Sequence, residues 1–168
     1  GSPDEVPGTA LWATHYGNHL NQRGRQISLD TSGNVLATGR FEGQINLGGT
    51  NFTSGSFPAE GAWVAKFDPN GGHLWSRAFG GAVAGFPTWG EDLAADPSGN
   101  VVLVGTNTGT ADFGGGPVTT AGGDDLFVVK YDSAGNFLWN RNYGDGAHQS
   151  AQAMAMDAAG NTYFTGSM

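Results

Sequence analysis

Glu91 and Asp92 stand side by side, just after Trp89. Two carboxylates near an aromatic ring are the equipment of a polysaccharide hydrolase or lyase. Neighbouring residues on a strand point to opposite faces, however, so this pair is poorly placed to work on one bond. A second acidic set, Asp112, Asp124 and Asp125, lies in Gly-rich sequence, and Glu60 stands near the place of Asp124 one repeat earlier. Carboxylates supplemented by backbone carbonyls suit calcium, which takes oxygen ligands; the same residues equally suit a solvated strand entry. These three Asp are the candidates for a calcium site, and no other cofactor is expected. His15, His19, His73 and His148 have no metal-binding spacing. Gly114-Gly115-Gly116 precedes Pro117 and a strand pattern rather than a helix, so it is not a phosphate cradle. With no Ser-His-Asp arrangement either, the chain is expected not to be an enzyme.

The remaining candidates fall on three corresponding loops, 18–24, 81–90 and 145–150. They carry His19, Arg23, Phe86, Trp89, His148 and Gln149. Aromatic, amide and imidazole side chains on loops are what a sugar or peptide site uses. Together with Glu91 and Asp92 they form the predicted ligand-binding set, and the expected ligand is a glycan, a peptide or a protein. Trp12, Trp75 and Trp139 recur at one position; they read as packing residues, with a carbohydrate platform as the other use of such a series.

What holds these loops is a repeat. Leu11-Trp12-Ala13-Thr14-His15-Tyr16-Gly17 matches Leu74–Gly80 and Leu138–Gly144, at spacings of 63 and 64 residues. Ile27–Gly39 matches Leu93–Gly105 and Met154–Gly166, and Ala62–Asp68 matches Leu126–Asp132. Asp-x-x-Gly-Asn occurs at Asp30, Asp96, Asp132 and Asp157, with a near copy at Asp68. It lacks the alternating carboxylates and distal Glu of an EF-hand loop. It has instead an Asp that accepts backbone N–H bonds and a Gly that supplies positive φ, the chemistry of a hairpin turn. Alternating apolar runs between the turns predict four strands per repeat, like Ile27–Asp30, Val35–Phe41, Ala62–Asp68 and His73–Phe79. A Gly-rich excursion (44–56, then 111–121) separates the second and third strands, as an extra hairpin or a long loop on one rim. The chain is thus all-β, with about 2.7 repeats of roughly 63 residues, each the four-stranded antiparallel sheet of a propeller blade. Repeat boundaries fall near 18–80, 81–144 and 145–168, with 11–17 a lone outer strand. Residues 1–10 read as a tag and extension, Gly1-Ser2 having the look of an expression scar.

Composition agrees. Thirty Gly, against roughly 12 for average usage at this length, indicate many turns. With 38% hydrophobic and 11% aromatic residues, packed faces are affordable and disorder is disfavoured. The net charge of −8 and the scattered seven Lys and Arg exclude a phosphate-binding surface, so nucleic acid is not an expected partner. There is no Cys for disulfides or thiolate sites, and no apolar run reaches the length of a membrane span.

The Asn34–Gly39, Phe127–Asp132 and Leu74–Gly80 segments resemble the SBBP-type β-propeller repeats of bacterial secreted proteins and lipoproteins. The pattern is Asp-x-x-Gly-Asn leading to an apolar strand ending in Thr-Gly, then Phe-Val-x-Lys-Tyr-Asp, then Leu-Trp-x-Arg-x-Phe-Gly. The likeness runs from Ala10 onward, and the Asp112–Asp125 stretch is similar to myxobacterial surface lipoproteins. The resemblance implies a propeller and an extracytoplasmic address, and no single activity. From it the chain is expected to be a binding or scaffold module, with a lectin-like ring of repeated sugar sites as the variant. It is expected to be a fragment of a longer propeller, or a homo-oligomer in which a trimer supplies roughly eight blades.

Overall fold

The computed structural model describes residues 11–55, 59–80 and 86–167. The tag and extension at 1–10, part of the linking loop expected at 81–90, and Met168 lie outside them. Every described element is a strand. The first sheet is built from β1 (Gln22–Leu29), β2 (Val35–Glu42), β5 (Glu60–Phe67) and β6 (His73–Gly80), in the order β1-β2-β5-β6. The second has β7 (Thr88–Ala95), β8 (Val101–Asp112), β9 (Pro117–Tyr131) and β10 (Phe137–Tyr143), in the order β10-β9-β8-β7. β11 (Ser150–Met156) and β12 (Thr162–Ser167) pair as a hairpin, as do the short β3 (Gln44–Asn46) and β4 (Asn51–Thr53). All pairings are antiparallel. These are two propeller blades and the first half of a third. β7 lies against β1 and β2, and β11 against β7, so the first strand of each repeat is innermost and β6 and β10 are outermost.

The hairpins close as the turn chemistry requires. Asp30 Oδ1 accepts the N–H groups of Ser32 and Asn34 at 2.8 and 2.9 Å, and Oδ2 accepts the Asn34 amide at 2.8 Å. Asp96, Asp132 and Asp157 repeat this set, and Asp68 keeps its backbone part with Asn70 and Gly72. The Thr-Gly ending also acquires a reason. Each inner strand carries a bulge, at Gly24/Gln26, Gly90/Asp92 and Ala151/Ala153. The carbonyl just before it presses on the facing glycine: a Cβ on Gly105 would lie 2.1 Å from the Trp89 oxygen, and one on Gly39 or Gly166 would lie 1.9 Å from its own partner. Only glycine admits the bulge at that approach.

Of the two forms expected for the Gly-rich excursions, both take the hairpin, one separate (β3–β4) and one an extension of β8 and β9. Ile45 and Leu47 are buried with Phe41, Trp63 and Phe67, and Phe113 is buried between the sheets against Phe79 and Phe127, centroids 5.1 and 4.6 Å away. Each excursion folds over a blade face, Phe113 in the seam between the two blades and Ile45 and Leu47 on the other face of the first. The outer strand expected over 11–17 forms no strand pairing among the described residues. It nevertheless packs as one: Trp12 lies over Gly71 and 6.1 Å from Phe67, as Trp75 lies over Gly135 and 6.0 Å from Tyr131.

The core is the seam between blades. A single cluster joins Leu36, Val64, Trp75 and Phe79 of the first blade to Leu93, Val101, Leu103, Phe127 and Tyr131 of the second. Tyr131 spends its hydroxyl on the Phe113 carbonyl at 2.9 Å, and burial pushes its pKa up.

Candidate ligand-binding rim

Antiparallel order within a blade sends the Asp hairpins to one rim and the blade-to-blade links, with the starts of the excursions, to the other. The link rim of the second blade gathers the exposed chemistry. The Phe86 ring lies against Gly109 and is 47% exposed. Beside Gly109, the Thr108 hydroxyl donates to the Asp124 carboxylate. Asp124 Oδ2 in turn sits 3.0 Å from Nδ1 of His148, whose side chain is 78% exposed. Aromatic ring on one side of Gly109 and the carboxylate–imidazole pair held through Thr108 thus stand on the same rim. The loop carrying His148 is braced from behind. Gln149 is buried, its amide donates to Asp145 Oδ1 at 2.8 Å, and its own N–H donates to the Asp124 carbonyl at 2.7 Å. The Ala147 N–H and the Gln149 amide hold the Asp145 carboxyl below the usual range.

The other predicted residues go elsewhere. Arg23 and Trp89 lie within inner strands rather than in loops, because β1 and β7 begin earlier than the apolar pattern indicated. Trp89 is half-buried: its indole N–H donates to Glu60 Oε2 at 2.6 Å, Arg40 stands 5.2 Å above its ring, and Arg40 is 3.5 Å from Glu60. Glu60 and Asp124, at the same place in consecutive repeats, therefore both receive the next blade. Glu91 is the bulged residue of β7 and meets Arg25, the bulged residue of β1, at 2.5 Å. Asp92 is buried, accepting the Leu93 N–H and, across the second seam, the Met154 N–H at 2.7 Å. Glu91 and Asp92 thus serve different partners and do not converge. His19 is exposed on the first link. Among the calcium candidates, Asp112 accepts the Gly114 and Gly116 N–H groups, Asp124 holds Thr108 and His148, and Asp125 is buried on the Ala121 N–H. They are not brought together; among the described residues no three metal-ligating side chains converge.

The hairpin rim holds what the sequence reading missed. Lys66 Nζ meets Asp30 Oδ2 at 2.8 Å and the Gly99 carbonyl of the next blade at 3.3 Å, with side chains only 4% and 3% exposed. Lys130 meets Asp96 at 2.8 Å. Burial pushes the Asp30 carboxyl up, but Lys66 and Asn34 outweigh it and hold it at about 2. Asp96 is lowered in the same way by Lys130 and Asn100 against its burial.

No family model matches this chain. Over an alignment of 166 positions it is 24% identical to an uncharacterized WD repeat-containing protein, L264, of Acanthamoeba polyphaga mimivirus. The match takes in 79% of this chain but 12% of that protein, so the chain corresponds to a small part of its relative. Four-stranded antiparallel blades, tandem repeats and a WD-repeat relative together make this an all-β, propeller-type repeat chain.

Proposed function

We propose that the chain is a non-catalytic binding module of an exported propeller protein, and that it takes a glycan, peptide or protein on the link rim of its second blade. The observation that carries this is the exposed Phe86 ring against Gly109 on the same rim as the hydrogen-bonded Thr108–Asp124–His148 group. Such a surface stacks an apolar face while directing polar groups. The WD-repeat relative supports a binding or scaffold role, and the SBBP-type resemblance supports export. The hydrolase reading draws no support from Glu91 and Asp92, whose carboxylates are tied to Arg25 and to backbone. Rings completed by further copies, including a trimer, are tested by light scattering.

The test is a screen of the chain against arrayed glycans and peptides, followed by Phe86→Ala and His148→Ala. Both side chains are exposed, so melting temperatures should stay unchanged. Each substitution should weaken binding of a true ligand at least about tenfold, the loss expected of an interface anchor. Ligands that bind both variants as well as the parent chain would remove this rim from consideration. Hits confined to sugars would select the lectin-like form, and hits confined to peptides the scaffold form.

A further inference from the structure

One of the five Asp hairpins departs from the others in two places. The turns at Asp30, Asp96, Asp132 and Asp157 carry Ser or Ala at the third position and Asn at the fifth, where the turn at Asp68 carries Asn70 and Gly72. Asn70 is thereby followed by Gly71, the single Asn-Gly step in the sequence. In the other four turns the fifth residue is a clamp. The side-chain amides of Asn34, Asn100, Asn136 and Asn161 donate to Oδ2 of their Asp at 2.8–2.9 Å. Each of those Asn also precedes a residue larger than glycine. Gly72 has no amide to donate. The Asp68 side chain therefore holds its turn through Oδ1, which accepts the Asn70 and Gly72 N–H groups at 2.8 and 2.9 Å. The Asp68 carbonyl accepts the Gly71 N–H at 3.0 Å. Asn70 is exposed, and its side-chain amide has no hydrogen-bond partner among the described residues.

We infer that Asn70 is a self-modification site, at which the Gly71 nitrogen displaces the side-chain amide and water completes the reaction. The Gly71 nitrogen attacks Asn70 Cγ. The N–Cγ bond forms, the Cγ–Nδ2 bond breaks, and the Gly71 proton passes through solvent to the departing group, which leaves as ammonia. The product is a five-membered succinimide, and water opens it. Cleavage of the new N–Cγ bond leaves an aspartyl residue in the original backbone. Cleavage of the bond from the Gly71 nitrogen to the main-chain carbonyl leaves an isoaspartyl linkage, with the backbone routed through Cγ. Glycine admits the reaction because no side chain shields its nitrogen. The attack also requires the Gly71 N–H to leave the Asp68 carbonyl, so the turn must open locally, and a turn with fewer bonds opens more readily. An isoaspartyl linkage puts one more carbon into the main chain beside Gly71. That glycine, at φ +85°, lies so close under the Trp12 indole that a Cβ would come within 2.7 Å of it. The change is thereby passed to the 11–17 segment. The site is on the hairpin rim and is independent of the link rim of the Proposed function.

The test incubates the full chain in mildly alkaline buffer and maps its peptides by mass spectrometry, with isoaspartyl linkages scored by enzymatic carboxyl methylation. A modified fraction that grows with time, at Asn70 and at no other Asn, is expected. Gly72→Asn supplies the clamp and should slow the reaction about threefold or more, the effect of one added hydrogen bond. Asn70→Ser places there the residue type of two sister turns, and should abolish the reaction with the melting temperature unchanged. The isoaspartyl chain, separated by its added charge, should show a displaced Trp12 indole signal by NMR. The inference is overturned if Asn70 stays intact while a free peptide of residues 66–74 reacts, or if other Asn react as fast. It is overturned too if Gly72→Asn leaves the rate unchanged, since the dipeptide alone, and not the missing clamp, would then set it.

Discussion

Lys66 illustrates how one side chain can serve two blades. It is buried with Asp30 and also reaches the Gly99 carbonyl of the neighbouring turn. A buried pair is costly to break because the survivor stays desolvated, so Lys66→Met should cost about 3–5 kcal/mol, read as a shift in the urea midpoint. A variant as stable as the parent would show that the pair is dispensable. The pH dependence follows from the direction of the Asp30 shift. Its carboxyl titrates at about 2 in the folded chain against 3.8 ordinarily, so the folded state binds fewer protons and its stabilising effect is complete above about pH 4. The effect, about 2 kcal/mol for such a shift, is lost as pH falls from 4 to 2. Asp96 adds a loss of the same sign. Melting temperature should therefore be nearly flat from pH 8 to 5 and drop steeply below 4, and Lys66→Met, which removes the leading influence lowering Asp30, should start from a lower melting temperature at neutral pH and show a shallower acid drop. The sequence shows half of this device. The turn role of Asp30 follows from Asp-x-x-Gly-Asn alone, and the recurrence of Lys66 and Lys130 inside apolar strands is a visible signal. The pairing itself depends on β2–β5 register and on stacking against the next blade, neither of which local spacing encodes.

At the scale of elements, the Gly-rich excursions do most to distinguish these sheets from plain four-stranded blades. Their Gly content suggested a surface excursion, yet Ile45 and Leu47, like Ala111 and Phe113, alternate as a strand with one apolar face should. What was not legible is where that face goes, because it packs across a seam rather than against the strands beside it in sequence. Phe113→Ala should cost about 3–5 kcal/mol, as expected when a buried aromatic is truncated and its cavity persists. Gly105→Ala should be at least as damaging for another reason. Its methyl would collide with the Trp89 carbonyl, so the β7 bulge must flatten and slip the register of Glu91 and Asp92. Denaturant unfolding of both variants, with NMR of the β7 amides, separates cavity from slip: Phe113→Ala keeps the β7 pattern and Gly105→Ala loses it. The loop assignments fared unevenly for a related cause. His148 and Phe86 stayed on the rim, while Trp89 and Arg23 were drawn into strands by backbone pairing that side-chain polarity does not report.

The whole molecule is a stack in which stability is shared between neighbours, as in any repeat array. The second blade has a partner on each face, the large cluster on one side and Val102, Val104 and Val128 with Ala151, Met154 and Phe164 on the other. The β11–β12 hairpin has one such face, and its opposite face leaves Tyr163 60% exposed. β1 is likewise open, with Ile27 and Leu29 65% and 63% exposed. Local opening should follow this asymmetry, since protection rises with buried contacts on both sides of a strand. Hydrogen exchange under native conditions should be slowest for β8 and the Leu126–Tyr131 part of β9, intermediate for β2 and β5, and fastest for β11 and β12. The order is informative because the repeats are close in sequence: intrinsic strand preference alone would make equivalent strands exchange alike. Equal protection of β8 and β12 would mean that the seams carry little of the stability.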